Sequence, residues 1–237
     1  MSHITNEYGQ PVGQPLPDWQ PRPLPQREVL EGRYCRLEPL SVAQHGEALF
    51  AAYALAKDGR DWTYLFAGPF SDYAAFQHYA QQMESSRDPL HFAVVEVATG
   101  RALGTLALMR IEPQHGVIEV GHVTFSPLLK QTRIATEAHY LLMRYAFEQL
   151  GYRRYEWKCD SLNAPSRRAA ARLGFQYEGE FRQAIVYRGR TRDTSWFSII
   201  DREWPLVKQG FERWLAAENF GIDGQQRDRL ETLRQRP

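Results

Sequence analysis

Residues 119–138 read EVGHVTFSPLLKQTRIATEA, and a change of pattern inside this stretch decides the fold. Up to Phe125 the residues Val120, Val123 and Thr124 favour extended backbone. Ser126 and Pro127 interrupt it. From Ile134 the apolar residues Ile134, Ala138, Leu141, Leu142, Tyr145, Ala146 and Leu150 recur at helical spacing until Gly151 stops them. A strand therefore feeds the longest helix of the chain across a turn carrying Lys130 and Arg133. A helix N-terminus presents unpaired N–H groups and the positive end of the helix dipole, so this junction suits an anion.

Working outward, 91–100, 101–113 and 116–127 are β-rich runs separated by Thr99-Gly100 and Gln114-His115-Gly116, which predicts an antiparallel meander. Two helices are expected before it. Ser41 caps one, and Ser71 or Asp72 caps the other, whose Tyr73, Phe76, Tyr79, Ala80 and Met83 keep a helical period. Between them Trp62, Tyr64, Phe66 and Phe70 crowd a loop without periodicity. Ahead of the first helix, 29–40 reads as two short strand pieces around Gly32. After the long helix come a strand, YEWKCD, and a short amphipathic helix from Asn163 to Leu173 closed by Gly174. A hairpin turning at Arg188-Gly189 follows, and then a helix from Trp204-Pro205.

The domain boundaries follow from composition. Residues 1–28 form an arm holding Pro11, Pro15, Pro17, Pro21, Pro23 and Pro25, which rules out a helix there. The arm is expected to lie across the surface through Trp19 and Leu24, to reach a second copy in a homodimer, or to stay mobile. The body spans 29–203. Residues 204–237 form a helix and a charged tail expected to be weakly helical or disordered.

With 29 Lys+Arg against 28 Asp+Glu, the 237-residue chain has no global field that would hold a nucleic acid. A mean hydropathy of -0.53 and the absence of a long apolar run argue against a membrane partner. The start of the chain has no secretory pattern, so the expected compartment is the cytoplasm. Cys35 and Cys159 form neither a metal nor a disulfide pattern, and no metal is expected.

Two blocks, 119–138 and CDSLNAPSRRAAARLGFQYEGEFR at 159–182, together resemble the GNAT-type N-acetyltransferases. The likeness is nearest to the branch acting on ribosomal proteins and amino acids, and covers roughly residues 31–201. It implies an α+β fold: a central, mostly antiparallel twisted sheet with helices on both faces. It also implies acetyl-CoA as co-substrate and direct acetyl transfer to a primary amine of a small molecule, amino acid or peptide N-terminus. Backbone at His122, Val123, Thr124 and Phe125 would meet the pantetheine, with Val123 N–H facing the oxyanion. The turn Lys130, Gln131, Thr132, Arg133, Ile134, Ala135 would hold the pyrophosphate. Asn163 would hydrogen-bond a pantetheine amide, and Ser166 would serve as acid near the sulfur. Glu119 would act as base through water. Strict strand alternation sets His122 on the face opposite Glu119 and ranks it lower.

The chain departs from the family pattern at Arg133, where Gly is usual. The turn there is accordingly expected to use ordinary helical or bridge angles. Trp62, Tyr64 and Phe66 are the expected acceptor wall, in competition with core packing. Arg167, Arg168 and Arg172 read as a solvated face, and the basic turn YRGRTRD as a steering or solubilising patch. Two other activities fit the same residues: transfer from a different acyl-CoA, and an acyl-CoA-binding module without turnover.

Overall fold

The computed structural model describes residues 4–235; the first three residues of the arm and the last two of the tail lie outside them. The arm opens with a small hairpin, β1 (Ile4–Thr5) and β2 (Pro11–Val12), and then runs along the body. Trp19 Nε1 donates to the Gln114 carbonyl at 2.9 Å while the Arg22 guanidinium stacks 4.3 Å from its ring. Gln26 N–H donates to Tyr145 Oη at 2.8 Å, and Arg27 donates to the carbonyls of Glu84 and Leu40. Trp19 is thus an anchor to its own chain, whereas Leu24 stays exposed.

The body continues with β3 (Leu30–Glu31), β4 (Cys35–Pro39), α1 (Val42–Tyr53), a 3-10 turn (Gly59–Trp62), α2 (Tyr73–Ser85), β5 (Leu90–Glu96), β6 (Ala102–Glu112) and β7 (Val117–Phe125). Then come α3 (Arg133–Arg144), which loosens into a π turn (Tyr145–Gln149), β8 (Arg154–Asp160), α4 (Ala164–Leu173), β9 (Gln176–Tyr187) and β10 (Arg190–Ile200). The chain finishes with α5 (Trp204–Leu215) and α6 (Leu230–Gln235). The expected order of elements is present. Asp72, Thr132 and Asn163 cap α2, α3 and α4 by accepting from the N–H of Ala75, Ala135 and Ser166. Ser41 occupies the cap position of α1, but its side chain makes no cap bond; its N–H donates instead to His45 Nδ1.

Eight strands form one sheet in the order β3-β4-β5-β6-β7-β8-β10-β9, antiparallel throughout except between β7 and β8. Helices cover both faces. On one, α1 and α2 bury Leu49, Phe76, Ala80 and Met83 against Ala93, Val95 and Ala102. On the other, α3 joins Leu106, Leu108, Ile118 and Val120 in the main core, and α5 packs on α3. The hairpin between β9 and β10 turns with φ +49° at Arg188 and +70° at Gly189, the backbone of a tight type I′ turn. Of the two states expected for the tail, weakly helical or disordered, its end takes the helical one in α6. Leu230 and Leu233 are buried in the main core, and Arg234 donates to the Arg172 carbonyl. Those two apolar residues, three apart, give α6 a face to bury despite its charge. Among the described residues no helix is long and apolar enough to cross a membrane.

One buried carboxylate ties α3 to the first strands. Glu137 accepts from the N–H groups of Arg33, Tyr34 and Cys35 at 2.9, 2.6 and 2.7 Å. Gly32 makes room for it, because a Cβ there would stand 2.6 Å from the Cys35 carbonyl and 2.8 Å from Glu137 Cδ. Truncating the carboxylate strands three donors in a dry site at about 1–3 kcal/mol each. Glu137→Ala is therefore expected to lower unfolding free energy by at least about 3 kcal/mol in urea titration, and Glu137→Gln by less; an unchanged midpoint for Glu137→Ala would refute this role.

Candidate active site

The parallel ladder between β7 and β8 pairs Val117 with Arg154 through Val120 with Trp157, and there it ends. Beyond Val120 the side of β7 that faced β8 has no strand partner, although β6 still pairs with Gly121, Thr124 and Phe125 on its other side. Between Gly121 and Thr124 the β6 register skips, and His122 there has φ +49°. This is a bulge, which re-aims side chains and leaves backbone groups out of the ladder. The gap between the strands is wedged by rings. His139 of α3 stands 5.5 Å from Phe125 of β7 and 5.3 Å from Trp157 of β8. Burial pushes His139 down to about 3, so the wedge is neutral at physiological pH.

At the mouth of this split lies a cavity of about 330 Å³. Glu119, His122, Val123 and Thr124 line it from β7, Asn163 and Ser166 from the start of α4, and Tyr64 and Phe66 from the loop before α2. The bulge is why His122 joins Glu119 here. Strict alternation would separate them, but a left-handed residue breaks the period. His122 stands 5.0 Å from His91, ring to ring, and burial lowers the pKa of both.

Trp62 is placed elsewhere. It is buried, edge-on to Tyr53 and Phe70 at 5.5 and 5.4 Å, beside a separate cavity of about 170 Å³. Gly68, with φ +72°, packs on its face, where any Cβ would clash. Tyr64 is held by its hydroxyl on the Leu162 carbonyl at 3.1 Å. Arg188 and Arg190 donate to the carbonyls of Trp62 and Thr63, so two arginines of the basic turn fasten the loop and are not free to steer a ligand.

The turn into α3 does contain a left-handed residue, at Gln131 with φ +60°. Arg133 itself begins the helix, so the missing Gly is compensated two residues earlier. Thr132 spends its hydroxyl on Ala135 N–H, which leaves the first-turn N–H groups of Arg133 and Ile134 without an intrahelical acceptor. Lys130 is paired with Asp61, and the Arg133 guanidinium lies over Phe220 and Tyr34 at 4.3 and 5.0 Å. Lys130, Gln131, Thr132, Arg133, Ile134 and Ala135, with Phe125, are not among the residues lining the cavity. Arg172 is not solvated: it donates to Thr136 Oγ1 in the first turn of α3.

Ser166 Oγ accepts from Trp157 Nε1 at 3.0 Å and lies beside the Cys159 thiol, whose pKa burial raises. Asn163 spends its Oδ1 on the helix cap, which leaves its amide nitrogen for a ligand. Glu119 is 4% exposed. Its Oε2 lies 2.9 Å from Lys158 Nζ and 3.2 Å from Arg110 Nε. Burial raises its pKa above the ordinary carboxylate value, and the two cations only partly oppose that.

Lys158 did not emerge from the sequence reading. It bridges Glu119 and Glu156, at 2.9 and 2.7 Å, with its ammonium 3.8 Å from the centre of the Trp196 ring. A signal was present in YEWKCD, where Glu156, Lys158 and Asp160 alternate with Tyr155, Trp157 and Cys159. A central strand with one wholly charged face must find partners for it.

Two strands that part over a bulge, a helix N-terminus after one of them and a lined cavity between them make a cleft suited to a ligand. The chain belongs to the acetyltransferase (GNAT) domain family, which it matches over residues 35–176, and it is an acyltransferase enzyme. It is similar to a GCN5-related N-acetyltransferase from Brucella melitensis, 50% identical, covering 92% of this chain and 99% of that one with a TM-score of 0.91. It is also similar to N-acetyltransferase p20 of Bacillus licheniformis, 27% identical over 144 residues, 60% of this chain and 80% of the relative. A RimL alpha-N-protein acetyltransferase of a ribosomal protein, solved in complex with coenzyme A, shares the fold at 19% identity and a TM-score of 0.58, covering 73% of this chain and 99% of that one.

Removing Lys158 leaves Glu119 and Glu156, which are register partners, as adjacent buried anions. Breaking such a network costs about 3–5 kcal/mol. In Lys158→Met the Glu119 carboxyl, already raised by burial, should rise further as it loses its nearest cation, so the loss is full above that raised folded-state pKa and shrinks as pH falls through it and the group protonates. Guanidinium unfolding at pH 8 and pH 5 should show the larger deficit at pH 8; equal deficits would contradict it.

Proposed function

We propose that the enzyme transfers an acetyl group from acetyl-CoA to a primary amine in a ternary complex. The observation that carries this reading is the split between β7 and β8, with an open backbone edge running from the α3 N-terminus to a cavity holding Glu119, His122, Asn163 and Ser166. The residues fit the co-substrate. The first turn of α3 and Arg133 suit a pyrophosphate. The unpaired edge of β7 and the Asn163 amide nitrogen suit a chain of amides.

Acetyl-CoA supplies the acetyl group as a thioester, whose C–S bond breaks as the C–N bond forms. The Val123 N–H, in the register break of β7, is the proposed oxyanion donor. Glu119 takes the amine proton through water, and its raised pKa suits a base better than an exposed carboxylate would. Ser166 returns a proton to the departing thiolate. His122, neutral because burial lowers its pKa, orders the acceptor beside Glu119. Tyr64 and Phe66 form the acceptor wall. The cytoplasm is the compartment this reading assigns, where the two free cysteines stay reduced.

Thiol release from acetyl-CoA with a panel of primary amines tests the activity. Coenzyme A binding without release for any amine would leave a binding module. Glu119 must be ionised to act, so kcat should fall as pH drops through its raised pKa. Glu119→Gln should cut kcat by about 10²-fold or more and remove that acidic limb. Normal turnover in this variant would transfer the base role to another group.

A further inference from the structure

Five charged side chains line the cavity: Arg110, Glu119, Lys158, Asp160 and Arg192. Four are answered within the chain. Arg110 and Lys158 meet Glu119, and Asp160 accepts from Tyr187 Oη and Leu162 N–H, each at 2.8 Å. Arg192 is the exception. It is 8% exposed, its Nε donates to Thr194 Oγ1 at 3.1 Å, and its guanidinium carbon lies 6.0 Å from the ring centres of Phe66 and Tyr187. Among the described residues it forms no ion pair, and no partner is found for its two terminal nitrogens.

Its terminal nitrogens open onto the cavity rather than onto any anion of the chain, and a planar guanidinium fork matches a carboxylate. The fold holds it there deliberately. In β9, two more residues than in β10 separate the pairs flanking this point, Ile185 with Arg192 and Phe181 with Thr194. Asp193 secures that bulge by accepting Gln183 N–H at 2.6 Å. Thr194 is opposite Asp160, the last residue of β8, so Arg192 lies past the end of that strand. This is where the chain turns into α4 with Asn163 and Ser166. Arg188 and Arg190 of the same hairpin fasten the loop that brings Tyr64 and Phe66 to the cavity, whose volume of about 330 Å³ suits a small acceptor.

We propose that Arg192 receives a carboxylate of the acceptor, so that the amine acetylated is a small one bearing its own carboxylate, an α-amino acid or close analogue with its apolar part against Phe66 and Tyr187. This rests on the acetyltransferase reading of the same cavity and names its substrate class.

The test compares acids with their carboxamides. Thiol release from acetyl-CoA is measured with phenylalanine and leucine against phenylalaninamide and leucinamide. Calorimetry with coenzyme A present compares N-acetylphenylalanine with its amide. The amides have the less basic amines, so a preference for the acids runs against intrinsic reactivity. Wild type should favour acids by about 10- to 100-fold in kcat/KM, the range of a charged hydrogen bond. Arg192→Gln should abolish the preference and Arg192→Lys keep part of it, with coenzyme A affinity unchanged in both. Equal use and equal binding of acid and amide by wild type overturns the proposal and leaves the acetyltransferase intact, as does faster turnover of a carboxylate-free peptide amide. Carboxylate-dependent binding with no thiol release for any amine sustains Arg192 and removes the transfer reading.

Discussion

Parallel pairing between β7 and β8 lasts from Val117 to Val120 and then stops, and the rest of the site depends on that stop. A sheet that continued would satisfy its backbone internally and offer nothing to a ligand. Here a ladder of antiparallel pairs holds each strand from its outer side, β6 against β7 and β10 against β8, so the two can part without unravelling. His139, between Phe125 and Trp157, fills the wedge with a neutral ring. The same helix that supplies His139 presents its N-terminus at one end of the split. It also supplies Glu137, which fixes β3 and β4. Helix α3 therefore serves packing, anchoring and ligand geometry together.

The face of β7, β8 and β10 that α1 and α2 leave uncovered carries charge, and the ordering of that charge gives the cavity its character. Glu119, Lys158 and Glu156 form a buried network closed at its ends by Arg110 and Arg154. Networks of this kind add little net stability but fix geometry, because each member loses heavily if its partner is absent. Glu119 is thus positioned by cations that do not overcome the effect of its burial. Arg192 lies outside this network.

Much of this was legible in the residues. Helical period, cap residues and turn glycines marked the elements in order, and the pairing of 119–138 with 159–182 marked the family. Glu119, Asn163, Ser166, Tyr64 and Phe66 do converge on one cavity. The misreadings have identifiable causes. His122 was assigned to the wrong face because a bulge cannot be seen in a two-residue period. Trp62 took the packing alternative, which nothing local in the sequence separates from a wall aromatic. Lys130, Arg188 and Arg190 found partners distant in sequence.

The sequence by itself determined what is local: where helices start and stop, which strand feeds which helix, and that the N-terminus of the long helix follows a strand. These depend on neighbours along the chain, whose contacts carry little closure entropy. Tertiary structure alone decided which charges are paired. Lys158 meets Glu119 only because β7 and β8 run parallel in one register, and Arg192 stays unpaired only because two hairpin strands and a loop enclose it. Electrostatic pairing is a property of distances through space, and those exist only once the sheet is assembled.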